Sequence, residues 1–84
     1  MIELLYFAWV RERIGVDGEV LPLPEGVATV AALLDWLAGR SEGHATALAD
    51  RGRVRVAVDQ VFAQADTPVT AGAEVAIFPP VTGG

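Results

Sequence analysis

The chain has 84 residues and a mass of 8.8 kDa, enough for one small core but not for a pocket that encloses a substrate. Eleven acidic residues against six basic ones give a net charge of −5, which disfavours binding to nucleic-acid phosphates. All six basic residues are arginine, and the chain has no lysine and no cysteine. Disulfides, thiolate metal sites, a nucleophilic cysteine and a Schiff-base lysine are therefore excluded.

Membrane insertion and export are not expected. No apolar run approaches the ~20 residues that a membrane-spanning helix needs. Glu3 interrupts the apolar start and no basic segment precedes it, which is unlike a secretory signal peptide. We therefore expect a cytoplasmic protein.

The first part of the chain predicts two strands separated by a helical turn. Residues 2–8 are rich in strand-forming side chains, and residues 10–14 predict a short helical turn that ends at Gly15. Residues 19–23 predict a second strand. Pro22 places this strand at a sheet edge, because proline has no N–H to donate to a neighbour.

The clearest element is a helix over residues 29–38. Thr29 is suited to cap its N-terminus and Gly39 to end it. Its apolar residues recur at i, i+3, i+4 and i+7: Val30, Leu33, Leu34 and Leu37. Residues 41–52 predict a second short helix around 45–49. His44 is interpreted as a loop residue, because the single histidine has no cysteine or second histidine to complete a metal site.

The second half predicts three strands. Residues 53–58 alternate between arginine and apolar side chains, which indicates a half-buried strand with Arg53 and Arg55 facing outward. A turn at 59–60 leads into a short strand at 61–63, and residues 74–78 form the last strand. The order predicts an α+β fold, the ubiquitin-like β-grasp: a mixed sheet of about five strands with one main helix on one face.

The last six residues predict a tail. We divide the chain into a β-grasp domain, residues 1–78, and an extended tail, residues 79–84. Pro79 and Pro80 end the sheet and stiffen the exit, since proline fixes φ and lacks an N–H. Gly83 and Gly84 have no side chains and fit a narrow slot. The Gly84 carboxylate, once activated as an acyl-adenylate, can accept sulfide or an amine; the alternative is a frayed terminus.

Three segments resemble one family. Residues 77–84, Ile-Phe-Pro-Pro-Val-Thr-Gly-Gly, are similar to the C-terminal signature of the small subunits of molybdopterin synthase. Residues 7–15 resemble that family's N-terminal signature, a strand end followed by an Arg-Glu helical turn and glycine. The turn at 58–60 is also similar, although the family often has asparagine where this chain has Asp59.

The resemblance implies a sulfur carrier. An activating enzyme that uses ATP would adenylate Gly84 and convert it to a thiocarboxylate, with a further protein as the sulfur donor. The tail would then deliver sulfur to a cyclic pyranopterin in the large synthase subunit, which builds the dithiolene of molybdopterin. The implied assembly is two small and two large subunits. Pterin catalysis would belong to the large subunit, and this chain would bind no metal or cofactor itself.

A contact surface for the partner is predicted from strand alternation. If Ile2, Leu4 and Tyr6 face the helix, Phe7 and Phe78 share the opposite face near the tail, where Phe62 joins them. An outward group of phenylalanines on so small a domain indicates a binding surface. The alternative is a small cluster packed under residues 41–52. The resemblance adds four tail residues to the contact set: Pro79, Pro80, Val81 and Thr82.

Three other functions remain open from the sequence. A sulfur carrier for thiamin synthesis or tRNA thiolation shares the fold and the Gly-Gly end. A ubiquitin-like modifier would attach through Gly84 to lysines of other proteins. A binding domain without chemistry would keep its function when Gly83 and Gly84 are deleted.

Overall fold

A computed structural model describes residues 1–80 as a mixed five-stranded sheet with three helices on one face. The strands are β1 Ile2–Tyr6, β2 Gly18–Leu21, β3 Arg55–Val58, β4 Val61–Phe62 and β5 Glu74–Phe78. The helices are α1 Ala8–Ile14, α2 Val30–Ala38 and α3 Glu42–Ala47, with a 3₁₀ turn at Arg51–Arg53. The strand order is β2-β1-β5-β3-β4, and the β-grasp prediction is confirmed.

The first and last strands pair in the middle of the sheet. β1 and β5 run parallel, with Leu4 opposite Val75 and Tyr6 opposite Ile77, whereas the other strand pairs are antiparallel. Each of these four side chains is at most 1% exposed and faces the helices. The predicted alternation of the two faces is therefore confirmed.

Two strand boundaries differ from the sequence prediction. β2 ends at Leu21, one residue before the proline predicted to lie inside it, because Pro22 has no N–H to continue the ladder. β3 begins at Arg55 and not at residue 53. Residues 51–53 instead form the 3₁₀ turn, in which the Asp50 carboxylate accepts a hydrogen bond from the Gly52 N–H at 3.0 Å. Arg53 is exposed, as predicted, but the prediction that it lies in a strand is wrong.

The interpretation of His44 as a loop residue is also wrong. It lies in α3, which begins at residue 42 because the Ser41 hydroxyl accepts a hydrogen bond from the His44 N–H at 3.1 Å. The imidazole is only 6% exposed. It was misassigned because the sequence does not show that a carboxylate distant along the chain satisfies the ring.

Gly43 lets α3 approach α1 with the two backbones in contact. A Cβ atom built on Gly43 would overlap the carbonyl oxygen of Arg13 and lie 3.2 Å from the Cα of Ile14. No side chain longer than hydrogen fits between these backbones. The contact holds the C-terminal end of α1 against the first turn of α3.

A polar network lies on the helix side of the sheet edge. Glu19 Oε2 accepts the Tyr6 hydroxyl at 2.7 Å and lies 2.8 Å from Nε2 of His44. The other ring nitrogen, Nδ1, lies 2.7 Å from the Ser41 hydroxyl. Arg40 lies 3.5 Å from the second oxygen of Glu19. Every buried polar side-chain atom of residues 1–80 has a partner.

The network raises the pKa of Tyr6 and lowers the pKa of Glu19. Burial, with the hydrogen bond to Glu19 and its negative charge, raises the pKa of Tyr6 well above its usual range. Burial alone would raise the pKa of Glu19 as well. The hydrogen bonds from His44 and Tyr6, with the charges of His44 and Arg40, outweigh burial and hold the pKa of Glu19 below its usual value.

Alkaline pH is expected to destabilise the domain through Tyr6. A group whose pKa is raised on folding stabilises the fold below its unfolded pKa, here about 10, and loses that contribution as pH rises further. The loss is about 1.4 kcal/mol for each pH unit above 10. The chain has one tyrosine and no lysine, so few other groups titrate in this window.

Melting temperatures between pH 8 and 11 test this, with Tyr6→Phe as the matched variant. The phenylalanine variant should be less stable at pH 8, since it lacks the hydrogen bond to a carboxylate. Its stability should then stay level up to pH 11. An equally steep alkaline decline in both proteins would contradict the assignment to Tyr6.

Among residues 1–80, no helix is sufficiently long and apolar to cross a membrane.

Candidate functional site

The tail leaves the domain at the end of the sheet where β1 and β5 both finish. Because these strands are parallel, their carboxyl ends lie at the same edge, and the Phe7 N–H donates to the Ile77 carbonyl at 3.2 Å. Phe78 is the last residue of β5, and Pro79 and Pro80 follow outside any regular element, both half-buried. We call this place the tail root. The predictions for the last four residues lie outside the described residues: Val81, Thr82, Gly83 and Gly84.

Two of the three predicted contact phenylalanines pack against each other. The ring centroids of Phe62 and Phe78 are 6.0 Å apart. Phe62 is 75% exposed and Phe7 is 47% exposed, while Phe78 is half-buried. The alternative, a cluster covered by residues 41–52, does not form, because that segment packs against α1 and α2. The role of these phenylalanines in binding stays a prediction.

The sheet face that carries no helix is apolar around these aromatic rings. Strand pairing places further apolar side chains on it: Leu5, Val20, Ala57 and Ala76. The end of the face remote from the tail is acidic, with Glu3 directly opposite Glu74. We call the apolar part the open face. The polarity of this face therefore changes along the strands. Its apolar middle is followed at the tail root by Phe78 and, directly opposite it on β3, by Arg55.

The β3–β4 turn has a structural role. Asp59 and Gln60 have φ values of 49° and 68°, as a two-residue type I′ hairpin requires. Asp59 also holds the turn to β5, because its carboxylate accepts the Glu74 N–H at 2.9 Å and its own N–H donates to the Glu74 carbonyl at 2.8 Å. The predicted turn is confirmed, and the side chain of Asp59 is engaged in holding it.

Sequence reasoning missed a cationic cluster near the tail root. The guanidinium carbon of Arg13 lies 4.5 Å from the centre of the Trp9 ring, and that of Arg53 lies 5.4 Å from the same ring. Trp9 and Arg13 are four residues apart in a helix, which puts them on one face. The contribution of Arg53 had no signal in the sequence, since it comes from a different element.

A cleft of about 570 Å³ extends from the tail root along the outer edge of β3. Its walls include Val30 and Leu34 from α2, Phe62 and Phe78 from the sheet, and Arg51 and Arg55 at its rim. Arg51 is already paired with Asp35 at 2.9 Å. Residues 1–80 contain no group of three or more side chains placed to hold a metal ion.

Comparison with known proteins identifies the family. The sequence profile of the ThiS family matches residues 4–84. This chain belongs to the ThiS family. The molybdopterin synthase sulfur carrier subunit of Escherichia coli K12 is 45% identical over 84 residues, which span all of both chains.

Two solved structures of similar proteins extend the comparison of this ThiS-family chain. A putative molybdopterin converting factor subunit 1 from Pyrococcus furiosus has a TM-score of 0.77 and 31% identity, with 95% of this chain and 97% of that chain covered. The small archaeal modifier protein 1 of Haloferax volcanii has a TM-score of 0.74 and 30% identity, with coverage of 95% and 97%. Similar folds therefore occur in a protein named as a molybdopterin converting factor subunit and in one named as a modifier.

Proposed function

We propose that this chain is the sulfur carrier subunit of molybdopterin synthase. The observation that carries the proposal is its 45% identity, over the whole of both chains, to the Escherichia coli protein of that name. The motif at residues 77–84 and the β-grasp fold agree with it.

The proposed chemistry takes place at Gly84. The terminal carboxylate attacks the α-phosphate of ATP on an activating enzyme and releases pyrophosphate. Sulfide supplied by a donor protein then displaces AMP, which leaves a thiocarboxylate. In the large subunit, this sulfur forms a bond to a carbon of the cyclic pyranopterin and displaces an oxygen there. Water then hydrolyses the resulting thioester, which leaves the sulfur on the pterin and restores the Gly84 carboxylate. The chain acts as the donor in this reaction, and we assign the pterin pocket to the large subunit in an assembly of two small and two large subunits.

The described residues support this division of labour. The tail root lies beside the open face, so a partner that covers Phe7 and Phe62 also receives the chain as it leaves Phe78. The two prolines direct the chain away from the sheet. Six residues can span at most about 20 Å, far enough to reach into a second protein. We assign the activation step to the cytoplasm, where ATP is supplied.

The experiment that tests the proposal is an intact-mass measurement. The chain is incubated with ATP, the activating enzyme and a sulfur donor, beside one variant without Gly84 and one extended by a single alanine. We expect the natural chain alone to gain the mass of one oxygen exchanged for one sulfur. The loaded protein with the large subunit should then convert the pterin precursor. No mass change with an enzyme shown to be active would contradict the carrier function.

A ubiquitin-like modifier is the second candidate. It is favoured by the likeness to small archaeal modifier protein 1, at 30% identity. In that case Gly84 would be joined to lysines of other proteins, and a tagged chain would appear on a gel as larger conjugates that resist reduction. Loading with sulfur and conversion of the pterin precursor, without such conjugates, would favour the carrier.

A further inference from the structure

The cationic cluster of Trp9, Arg13 and Arg53 bridges two elements on either side of the tail root. In the sheet, β5 lies between β1 and β3. Trp9 follows the end of β1, and Arg53 precedes the start of β3. The guanidinium carbon of Arg53 lies 5.4 Å from the centre of the Trp9 ring. This contact links the segments next to β1 and β3, the strands on either side of β5, at the end of the sheet where Phe78 leads into the tail.

The two guanidinium groups of the cluster are available for a ligand. Arg13 and Arg53 are exposed, and neither lies within 4.0 Å of a carboxylate among residues 1–80. An arginine stacked on an aromatic ring keeps the N–H donors along its edge free, and its orientation is fixed in advance. Such a fork matches the planar oxygens of a carboxylate.

Charge is divided along the strands of this acidic protein. Four arginines that form no ion pair in residues 1–80 occur in α1, in the 3₁₀ turn or at the start of β3: Arg11, Arg13, Arg53 and Arg55. The acids at this end are Glu12, Asp50 and Asp17, whose backbone carbonyl accepts the Tyr6 N–H at the end of β1. The opposite end of the sheet carries acids: Glu3, Asp59 and Glu74. The arginines that form no ion pair in residues 1–80 are therefore concentrated around the tail root, in a chain whose net charge is −5.

The length of the tail indicates which anion faces the cluster. Under the proposed function the large subunit takes up the tail. Six residues can span up to about 20 Å, so the Gly84 carboxylate and any nucleotide or pterin phosphate that reacts with it would then be remote from the cluster. The cluster stays at the root, against the rim of the protein that takes up the tail. The anions within its reach are therefore side chains of that protein.

We propose that Trp9, Arg13 and Arg53 bind carboxylate side chains on the rim of the large subunit's tail-binding site. This inference rests on the proposed function. The open face supplies apolar contact, while the cluster supplies charge attraction and sets the orientation in which the tail enters. Charges at the rim of an interface act mainly on the association rate and on its dependence on salt.

Affinity for the large subunit at about 50 and 500 mM salt tests the proposal, because screening is strong at the higher concentration. The variant is Arg13→Gln combined with Arg53→Gln. The matched control is Thr70→Glu combined with Ala71→Glu, which changes the net charge by the same amount in the exposed turn before β5. We expect the arginine variant to bind about five- to tenfold more weakly at low salt, chiefly through slower association, and the control to stay within about twofold.

A second double variant, in which both arginines are replaced by lysine, separates the effect of charge from any effect on folding. Arg13→Lys with Arg53→Lys alters the stack on Trp9 but keeps the charge, and we expect it to retain most of the association rate. Equal weakening of the glutamine pair and the far-end control, unchanged binding of the glutamine pair, or equal weakening by lysine and glutamine would each overturn the proposal. If the natural chain did not bind the large subunit at all, the proposed function itself would fail.

Discussion

Gly43→Ala is expected to lower the free energy of unfolding by about 2 kcal/mol, because a methyl group at this position meets backbone on both sides. The added Cβ would overlap the Arg13 carbonyl oxygen and lie 3.2 Å from the Ile14 Cα. Neither atom can move without shifting α1. Alanine is normally favoured over glycine in a helix by up to about 1 kcal/mol. A loss of stability on Gly43→Ala would therefore indicate the steric overlap, because helix propensity alone predicts a gain.

Thermal unfolding followed by circular dichroism measures the effect, which should be roughly 8–16 °C in melting temperature for a domain of this size. Gly39→Ala is the matched control. Gly39 has a φ of −86°, and an added Cβ would meet only the Trp36 carbonyl oxygen at 3.5 Å, an ordinary contact. We expect the control to change stability by less than about 0.5 kcal/mol. If the two variants had the same melting temperature, the assignment of close backbone packing between α1 and α3 would be incorrect.

Phe78→Ala is expected to weaken binding to the large subunit by tenfold or more. Phe78 lies at the tail root, and its ring packs on Phe62. Covering a phenylalanine at an interface contributes a few kcal/mol, and about 1.4 kcal/mol corresponds to a factor of ten in affinity. Isothermal titration of the variant against the large subunit gives the number.

Phe62→Ala separates binding from folding, because the 75% exposed ring of Phe62 contributes little to the core. It should also weaken binding by about tenfold. Val61→Ala is its matched control. Val61 is a neighbouring residue of the same strand, 68% exposed, and its side chain points to the opposite side of the sheet. Unchanged affinity in both phenylalanine variants would mean that the partner does not cover the open face.

The fold was predictable from the sequence wherever one local rule determines the structure. Alternation fixed the two faces of β1 and β5. The Thr29 cap and the i, i+3, i+4, i+7 pattern predicted α2, and the Thr29 hydroxyl does accept the Ala32 N–H at 3.2 Å. Proline chemistry set the edge position of β2, although the strand stops just before Pro22 and does not include it.

Two errors concern residues whose partners are distant in the chain, whereas the bounds of β2 and β3 depend on local features at Pro22 and Asp50. His44 was misassigned because Glu19, which satisfies its ring, lies in a different element. The Trp9 cluster was missed because Arg53 reaches it from the other side of β5. A single sequence shows spacing within an element but not which elements meet, so long-range polar pairs are the part of the site that it conceals.

The pairing of β1 with β5 has a consequence for how the protein is made. Glu3 is opposite Glu74, so a nascent chain cannot complete the centre of its sheet until β5 has been synthesised. The contact between β1 and β5 closes a loop of nearly the whole chain. The entropy cost of that closure makes the pairing a late and slow step of folding. A chain cut short before β5 leaves β1 without its central partner and, in the same event, has no tail root. Incomplete synthesis therefore removes the centre of the sheet and the tail root together.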